Sequence, residues 1–257
     1  MFKTDNYKNK TVVITGGTKG IGLGITKAYL SLSAKVIILA RNKPKKQIQV
    51  KGNKALFYQC NVRDNANVEE VINEVFKANK CIDVLINNAG GAPLINSLDA
   101  SMNFNNAIID LNLNSSFAVS YYVAKKMIKK SSGCVITNIS SVTATRPTPG
   151  SAAYGAAKGG LVNLTKTLAV EWAPRIRVNS IITGYIETEN SLVHYGSKKD
   201  MKAVAKTIPM KRMGTPEDIA NACIFLSSAN SSWITGTAIE VHGGGESPAY
   251  LNSAKPK

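Results

Sequence analysis

The chain has 257 residues, 44% of them hydrophobic, which suits one α/β domain with a sizeable core; no apolar run approaches the ~18–20 residues a membrane span needs. Lys and Arg outnumber Asp and Glu by 32 to 16, a net charge of +16 that fits nucleic acid, an acidic surface, an anionic ligand or a solvated lysine-rich exterior. Four scattered cysteines without a CxxC suggest a reduced, cytoplasmic chain, and two histidines, His194 and His242, argue against a His-based metal site.

The opening MFKTDNYKNKTVVITGG runs almost directly into a first strand, with no apolar leader core. GIGLGITKAYLSLS follows as a helix, with Ile21, Ile25, Ala28 and Leu32 on roughly one face. AKVIILAR is a second strand and ALFYQCNV a third. Thirteen residues separate Arg41 from Ala55, so a short helix is expected between them. NVEEVINEVFKAN is amphipathic, CIDVLINNAG a fourth strand, NSSFAVSYYVAKKMIKK a helix and GCVITNISS a fifth strand. AAYGAAKGGLVNLTKTLAVEWA is a long helix and IRVNSIITG a sixth strand. TPEDIANACIFLSS is a helix with a Thr N-cap and Pro at its first position, and TGTAIEVHGG is the last strand. Strands this apolar have no wet face, and strand–helix alternation throughout points to one doubly wound Rossmann-type domain over residues 1–257. Its sheet is expected to have seven mainly parallel strands flanked by helices. The segment at about 189–212 reads as a helical lid and 246–257 as a polar tail.

Two features carry chemistry. TGGTKGIG, residues 15 to 22, follows the first strand and opens the first helix, where glycines let the backbone approach a pyrophosphate at the positive helix end. SAAYGAAKGG, residues 151 to 160, sets a Tyr four residues before a Lys. Spacing alone leaves four such pairs open: Tyr121/Lys125, Tyr122/Lys126, Tyr154/Lys158 and Tyr195/Lys199.

The loop reads Thr15, Gly16, then Gly20 and Gly22 rather than G-x-G-x-x-G. That pattern resembles the short-chain dehydrogenase/reductase family, and the likeness runs from Thr11 to about Gly244 through NNAG, RVNSIITGYIET, RMGTPEDIA and ITGTAIEVHGGG. The resemblance implies a nicotinamide site formed by Gly16, Thr18, Lys19, Gly20, Ile21, Gly22, Arg41, Asn61, Val62, Asn88, Ala89, Gly90, Tyr154, Lys158, Gly184, Ile186 and Thr188. NAD-specific folds place a carboxylate at the end of the second strand. Here Arg41 stands there, and Lys19 lies in the loop. Arg offers a charged fork that suits a 2′-phosphate, so NADP(H) is the expected cofactor.

In the family a Ser precedes the catalytic Tyr by 13 residues, and only Tyr154 has one, Ser141; the other three tyrosines have isoleucines there. Ser141 is expected to polarise a carbonyl, Tyr154 to act as general acid/base and Lys158 to bind the nicotinamide ribose. At ~4 Å and an effective dielectric of ~20, Lys158 would attract the phenolate by about 4 kcal/mol before desolvation, enough for ~2–3 pKa units. Asn112 matches the family's helix Asn in the proton relay. Departures are Asn61 where the family has Asp, and Thr183-Gly184 where it has Pro-Gly.

The expected activity is NADP(H)-dependent reduction of a ketone to a secondary alcohol, with 3-oxoacyl thioesters, free or carrier-bound, among the substrates the resemblance suggests. An alcohol, sugar or steroid dehydrogenase working oxidatively is the alternative. From another class, a non-catalytic NADP(H)- or nucleic-acid-binding protein on the same fold would explain the charge, although no aromatic-interleaved basic motif supports it. A homotetramer is implied by relatives, with helices over 115–130 and 154–173 between subunits. No metal, membrane or nucleic-acid partner is expected.

Overall fold

The computed structural model describes residues 7–129 and 133–246. Lys130 and residues 247–257 of the expected tail lie outside them.

A seven-stranded, wholly parallel sheet organises the chain. Its strands are β1 (Thr11–Thr15), β2 (Lys35–Ala40), β5 (Leu56–Gln59), β6 (Val84–Asn87), β7 (Cys134–Ser141), β8 (Ile176–Thr183) and β9 (Ala238–Val241), in the order β5-β2-β1-β6-β7-β8-β9. The order reverses between β1 and β6, which is where open α/β sheets leave a crevice for ligands. A two-stranded hairpin, β3 (Gln49–Val50) and β4 (Asn53–Lys54), stands apart from the sheet.

Helices cover both faces. On one side α1 (Gly20–Ser31) and α8 (Pro216–Ser227) pack together over Ile14, Ile38, Ile86 and Ile181. On the other, α2 (Asn65–Asn79), α4 (Ser115–Met127) and α5 (Ala152–Trp172) enclose Val13, Ile37, Leu85, Ile136 and Val178. This two-sided burial is why the central strands β1, β6 and β7 are buried at every position. The remaining helices are α3 (Met102–Ile109), a π-helical turn at Asp110–Asn114, and, in the segment expected to be a lid, α6 (Ser191–Tyr195) and α7 (Lys198–Thr207). Thr215 caps α8 through a capping box with Asp218, and Pro216 opens it, as the sequence indicates.

One expectation is corrected, and one helix was not foreseen. The segment between Arg41 and Ala55 forms no helix; the β3–β4 hairpin occupies it, turning at Lys51 (φ 49°) and Gly52 (φ 82°). Positive φ at both central residues suits the two-residue turn of a twisted hairpin. The stretch before Asn112 holds a helix, α3, capped by Ser101 through a bond from the Phe104 N–H.

Candidate active site

The C-terminal ends of β1, β6, β7 and β8 form the floor of the site. Thr15, the last residue of β1, accepts at Oγ1 from the backbone N–H groups of Asn88 and Ala89, each at 3.0 Å. Asn88 returns two bonds through Nδ2, to the carbonyls of Thr15 (3.0 Å) and Gly16 (3.3 Å). Asn87, one residue earlier, donates to Ser120 Oγ and Asn138 Oδ1, and Asn138 passes a bond to Thr165 Oγ1. The NNAG motif therefore ties β1, β6, β7, α4 and α5 together through buried amides. Close approach explains Gly22, where a Cβ would lie 2.3 Å from the Gly16 carbonyl oxygen and 2.5 Å from Asn88 Nδ2.

Ser141 ends β7 opposite Thr183 of β8 and caps a short 3-10 turn at Val142–Ala144. Tyr154 and Lys158 lie one turn apart near the start of α5. This helix docks closely: a Cβ on Gly155 would be 3.1 Å from the Thr143 carbonyl, and Ser140 Oγ donates to the Lys158 carbonyl at 3.1 Å. The Lys158 side chain is buried, its Nζ giving a 2.9 Å bond to the Ile139 carbonyl and standing 5.6 Å from the Tyr154 ring centroid. Ser141, Tyr154 and Lys158 thus lie side by side. None of the other three Tyr/Lys pairs has a hydroxyl at a strand end 13 residues before it.

Asn112 sits in the π-helical turn, fully buried. Its Oδ1 accepts from the Gly91 N–H at 2.8 Å, and its Nδ2 donates to the carbonyls of Gly91 (3.0 Å) and Ile108 (2.9 Å). The side chain is thereby committed to holding the 90–91 backbone. A Cβ on Gly90 would fall 2.6 Å from Asn112 Oδ1 and 3.2 Å from Lys158 Nζ, so Gly90 lies against both groups.

The family model described as enoyl-(acyl carrier protein) reductase matches residues 16–246. The chain is 36% identical over 242 residues to a 3-oxoacyl-acyl-carrier-protein reductase of Chlamydia pneumoniae, covering 91% of this chain and 96% of that one. It is 37% identical over 237 residues to the reductase of the same name from Rickettsia prowazekii, with 91% and 96% covered. The ligand-free aldohexose dehydrogenase of Thermoplasma acidophilum superposes with a TM-score of 0.86 at 31% identity, covering 98% of this chain and 97% of that one. The chain belongs to the short-chain dehydrogenase/reductase family. It is an oxidoreductase of a family that uses nicotinamide cofactors.

The short-chain dehydrogenase/reductase loop is built for an anion. Gly16 (φ 66°) and Gly20 (φ 51°) take left-handed backbone, and the Gly20 N–H points at a carboxylate, Glu189, at 2.9 and 3.2 Å from its two oxygens. Glu189 stands in for negative charge at the helix start, so the residues present fit a dinucleotide phosphate. Thr18 is partly exposed in this loop, Ile21 follows in α1, and Lys19 and Arg41 are exposed. No acid pairs with Lys19 or Arg41 among the described residues. Asn61 lies just past β5 and accepts at Oδ1 from the Arg63 N–H. Val62 is buried in the core, leaving its backbone as the part available to a ligand.

On the other side, Gly184 passes so near His242 that a Cβ would sit 2.7 Å from His242 Cβ. Ile186 is buried and bridges to Gly214; Thr188 lies beside Gly20, its N–H bonded to Ser191 Oγ at 2.7 Å. Thr183, where the resemblance had implied Pro, donates from Oγ1 to the Ser140 carbonyl at 2.9 Å. That bond braces the ends of β7 and β8 beside Ser141, a contact a Pro side chain could not make.

Electrostatics differ from the simple Tyr–Lys expectation. Burial raises Tyr154 above its ordinary 10.0, while a hydrogen bond with Ser141 pulls the other way. The Lys158 ammonium gives one bond to the Ile139 carbonyl and stands over the Tyr154 ring, 5.6 Å from its centroid. Burial lowers Lys158 from 10.5 to about 8.

The loop after Ser141 and helix α6 hold further residues that stand together. Arg146, in the loop after Ser141, donates from Nη2 to Tyr185 Oη at 3.1 Å and pairs with Glu246. Tyr185 meets Tyr195 edge-on at 5.9 Å, and burial, then the fields of Tyr185 and Tyr154, push Tyr195 up to about 12. His194 tilts against the Tyr195 ring at 6.3 Å. A lone Arg in a loop carries no periodic signal, so only its position after Ser141 could have drawn notice.

Proposed function

We propose that the chain is an NADP(H)-dependent reductase converting a ketone to a secondary alcohol. The meeting of Ser141, Tyr154 and Lys158 at the end of β7, against Gly90, carries this reading. A bound nicotinamide supplies hydride chemistry at the carbonyl carbon. Tyr154 Oη gives its proton to the carbonyl oxygen. Because burial raises its pKa, Tyr154 stays protonated at neutral pH, the form a proton donor needs. Ser141 Oγ donates a hydrogen bond to the same oxygen and stabilises the charge developing there. Lys158 holds the nicotinamide ribose and, with it, sets positive charge near the phenol for the reverse direction. Asn112 acts by fixing the backbone at 90–91 beside these groups.

Lys19 and Arg41, free of acidic partners among the described residues, are the groups proposed to take the 2′-phosphate. The decisive experiment follows absorbance with ketones and 3-oxoacyl thioesters, using NADPH and NADH in parallel. NADPH should give at least a tenfold higher kcat/KM, and equal values would overturn the cofactor assignment. Tyr154→Phe should keep cofactor binding and lose roughly 100- to 10,000-fold in turnover. Near-normal turnover in that variant would sink the mechanism.

The likeness to an aldohexose dehydrogenase supports a second reading, oxidation of a sugar hydroxyl by the same residues. Aldoses with NADP and NAD in the same assay separate the two.

A further inference from the structure

Among the described residues, six buried side-chain polar atoms have no hydrogen-bond partner, and three of them fall in one six-residue segment: Thr143 Oγ1, Arg146 Nε and Thr148 Oγ1. This segment follows Ser141 directly. Buried polar groups are nearly always paired, so such a concentration beside a reacting centre marks a place where a polar ligand completes the set. Arg146 is the charged member. Its fork is used on one side only, Nη2 serving both Tyr185 Oη and Glu246 while Nε serves nothing. Two other described arginines use both terminal nitrogens, whereas Arg175 gives one bond from Nη1 to the Ile128 carbonyl. Arg212 grips Asp218 with both terminal nitrogens, and Arg177 spends its fork on the carbonyls of Ile234, Leu226 and Ser228. Arg146 also reaches Tyr185, whose ring meets that of Tyr195 edge-on at 5.9 Å.

We propose that Arg146 is a carboxylate-recognition residue of the substrate pocket, so that the preferred substrate is a free oxo acid, with Glu246 as the resting counter-ion that the substrate carboxylate replaces. Glu246 already shows that a carboxylate fits against this guanidinium. A substrate carboxylate can go further and take Nε together with Nη2, the paired geometry in which Arg binds carboxylates best. Thr143 and Thr148 stand on the same loop, each with a buried, unpartnered hydroxyl. A neutral thioester would leave the Arg146–Glu246 pair in place and gain nothing from it. The proposal rests on the reductase reading for its chemistry, but the binding step can be measured without turnover.

The test pairs 3-oxobutanoate with its methyl ester, using the full chain, Arg146→Met and Glu246→Gln. Calorimetry gives binding, and NADPH absorbance gives kcat/KM. The wild type should bind and reduce the acid at least tenfold better than the ester. Arg146→Met should shrink that acid-to-ester ratio by roughly 10- to 100-fold, the range for a lost charged hydrogen bond. Glu246→Gln should bind the acid several-fold more tightly, since the competing carboxylate is gone. Thermal midpoints of both variants report whether the fold is kept. Equal handling of acid and ester by the wild type overturns the proposal and leaves the reductase reading standing, as does an unchanged ratio in Arg146→Met. Acid binding that depends on Arg146 without reduction upholds the subsite and overturns the reductase reading. Weaker acid binding by Glu246→Gln overturns the role of Glu246 as a displaceable counter-ion.

Discussion

At Lys158 the fold bears a buried ammonium. Burial lowers it from 10.5 to about 8, so between those two pH values the unfolded chain holds a proton that the folded chain has lost. Stability attributable to this group therefore rises with pH over that window, and the buried charge costs about 3 kcal/mol at neutral pH, from ~1.4 kcal/mol per unit. The stability of wild type relative to Lys158→Met should accordingly climb between pH 8 and 10 in urea unfolding. A difference that stays flat or falls would refute the buried-charge account. The site residues were the most legible part of the sequence, because they sit at fixed offsets: Ser141 lies 13 before Tyr154, and Lys158 four after it. What the offsets could not convey is where each atom points. Lys158 was expected to face the phenol oxygen, yet its nitrogen bonds the Ile139 carbonyl. Asn112 was expected to serve a relay, and its side-chain amide bonds the Gly91 backbone and the Ile108 carbonyl.

Among the elements, legibility followed periodicity. The apolar strands and the amphipathic α2 announce themselves, as does the capped start of α8. Helix α3 does not, since three of its eight residues are Asn, which helices disfavour, and only Ile108 among them is buried. The β3–β4 hairpin is also quiet, because its strands are two residues long and its Lys51-Gly52 turn lacks the Asn-Gly or Asp-Gly signature. Helix pairing rests on features no single position reveals. A Cβ on Gly24 of α1 would stand 2.3 Å from Pro216 Cβ of α8. Gly24→Ala should therefore push these helices apart and cost roughly 1–3 kcal/mol despite the better helix propensity of Ala. Denaturant unfolding with an unchanged or higher midpoint would contradict that packing.

For the whole molecule, the two-sided core leaves apolar side chains outside on one flank. Phe117 and Tyr121 of α4 are 46% and 44% exposed, and Val170 of α5 is 83% exposed. These are the helices expected between subunits of a homotetramer. Val170→Glu combined with Tyr121→Glu should reduce the particle to a smaller species in light scattering, whereas a monomeric wild type would remove the tetramer from consideration. A last consequence concerns Glu189, whose carboxylate occupies the Gly20 N–H while the next residues lead into α6 and α7. Cofactor phosphate and lid are then rival tenants of one donor. A phosphate proposed at the Gly20 N–H would have to displace Glu189, at the first residue of the segment expected to act as a lid. Such rivalry weakens the measured affinity below the intrinsic one. Glu189→Gln should tighten NADPH binding roughly two- to fivefold in a fluorescence titration, the scale of one charge at a helix start. An unchanged dissociation constant would mean that the carboxylate and the phosphate never meet.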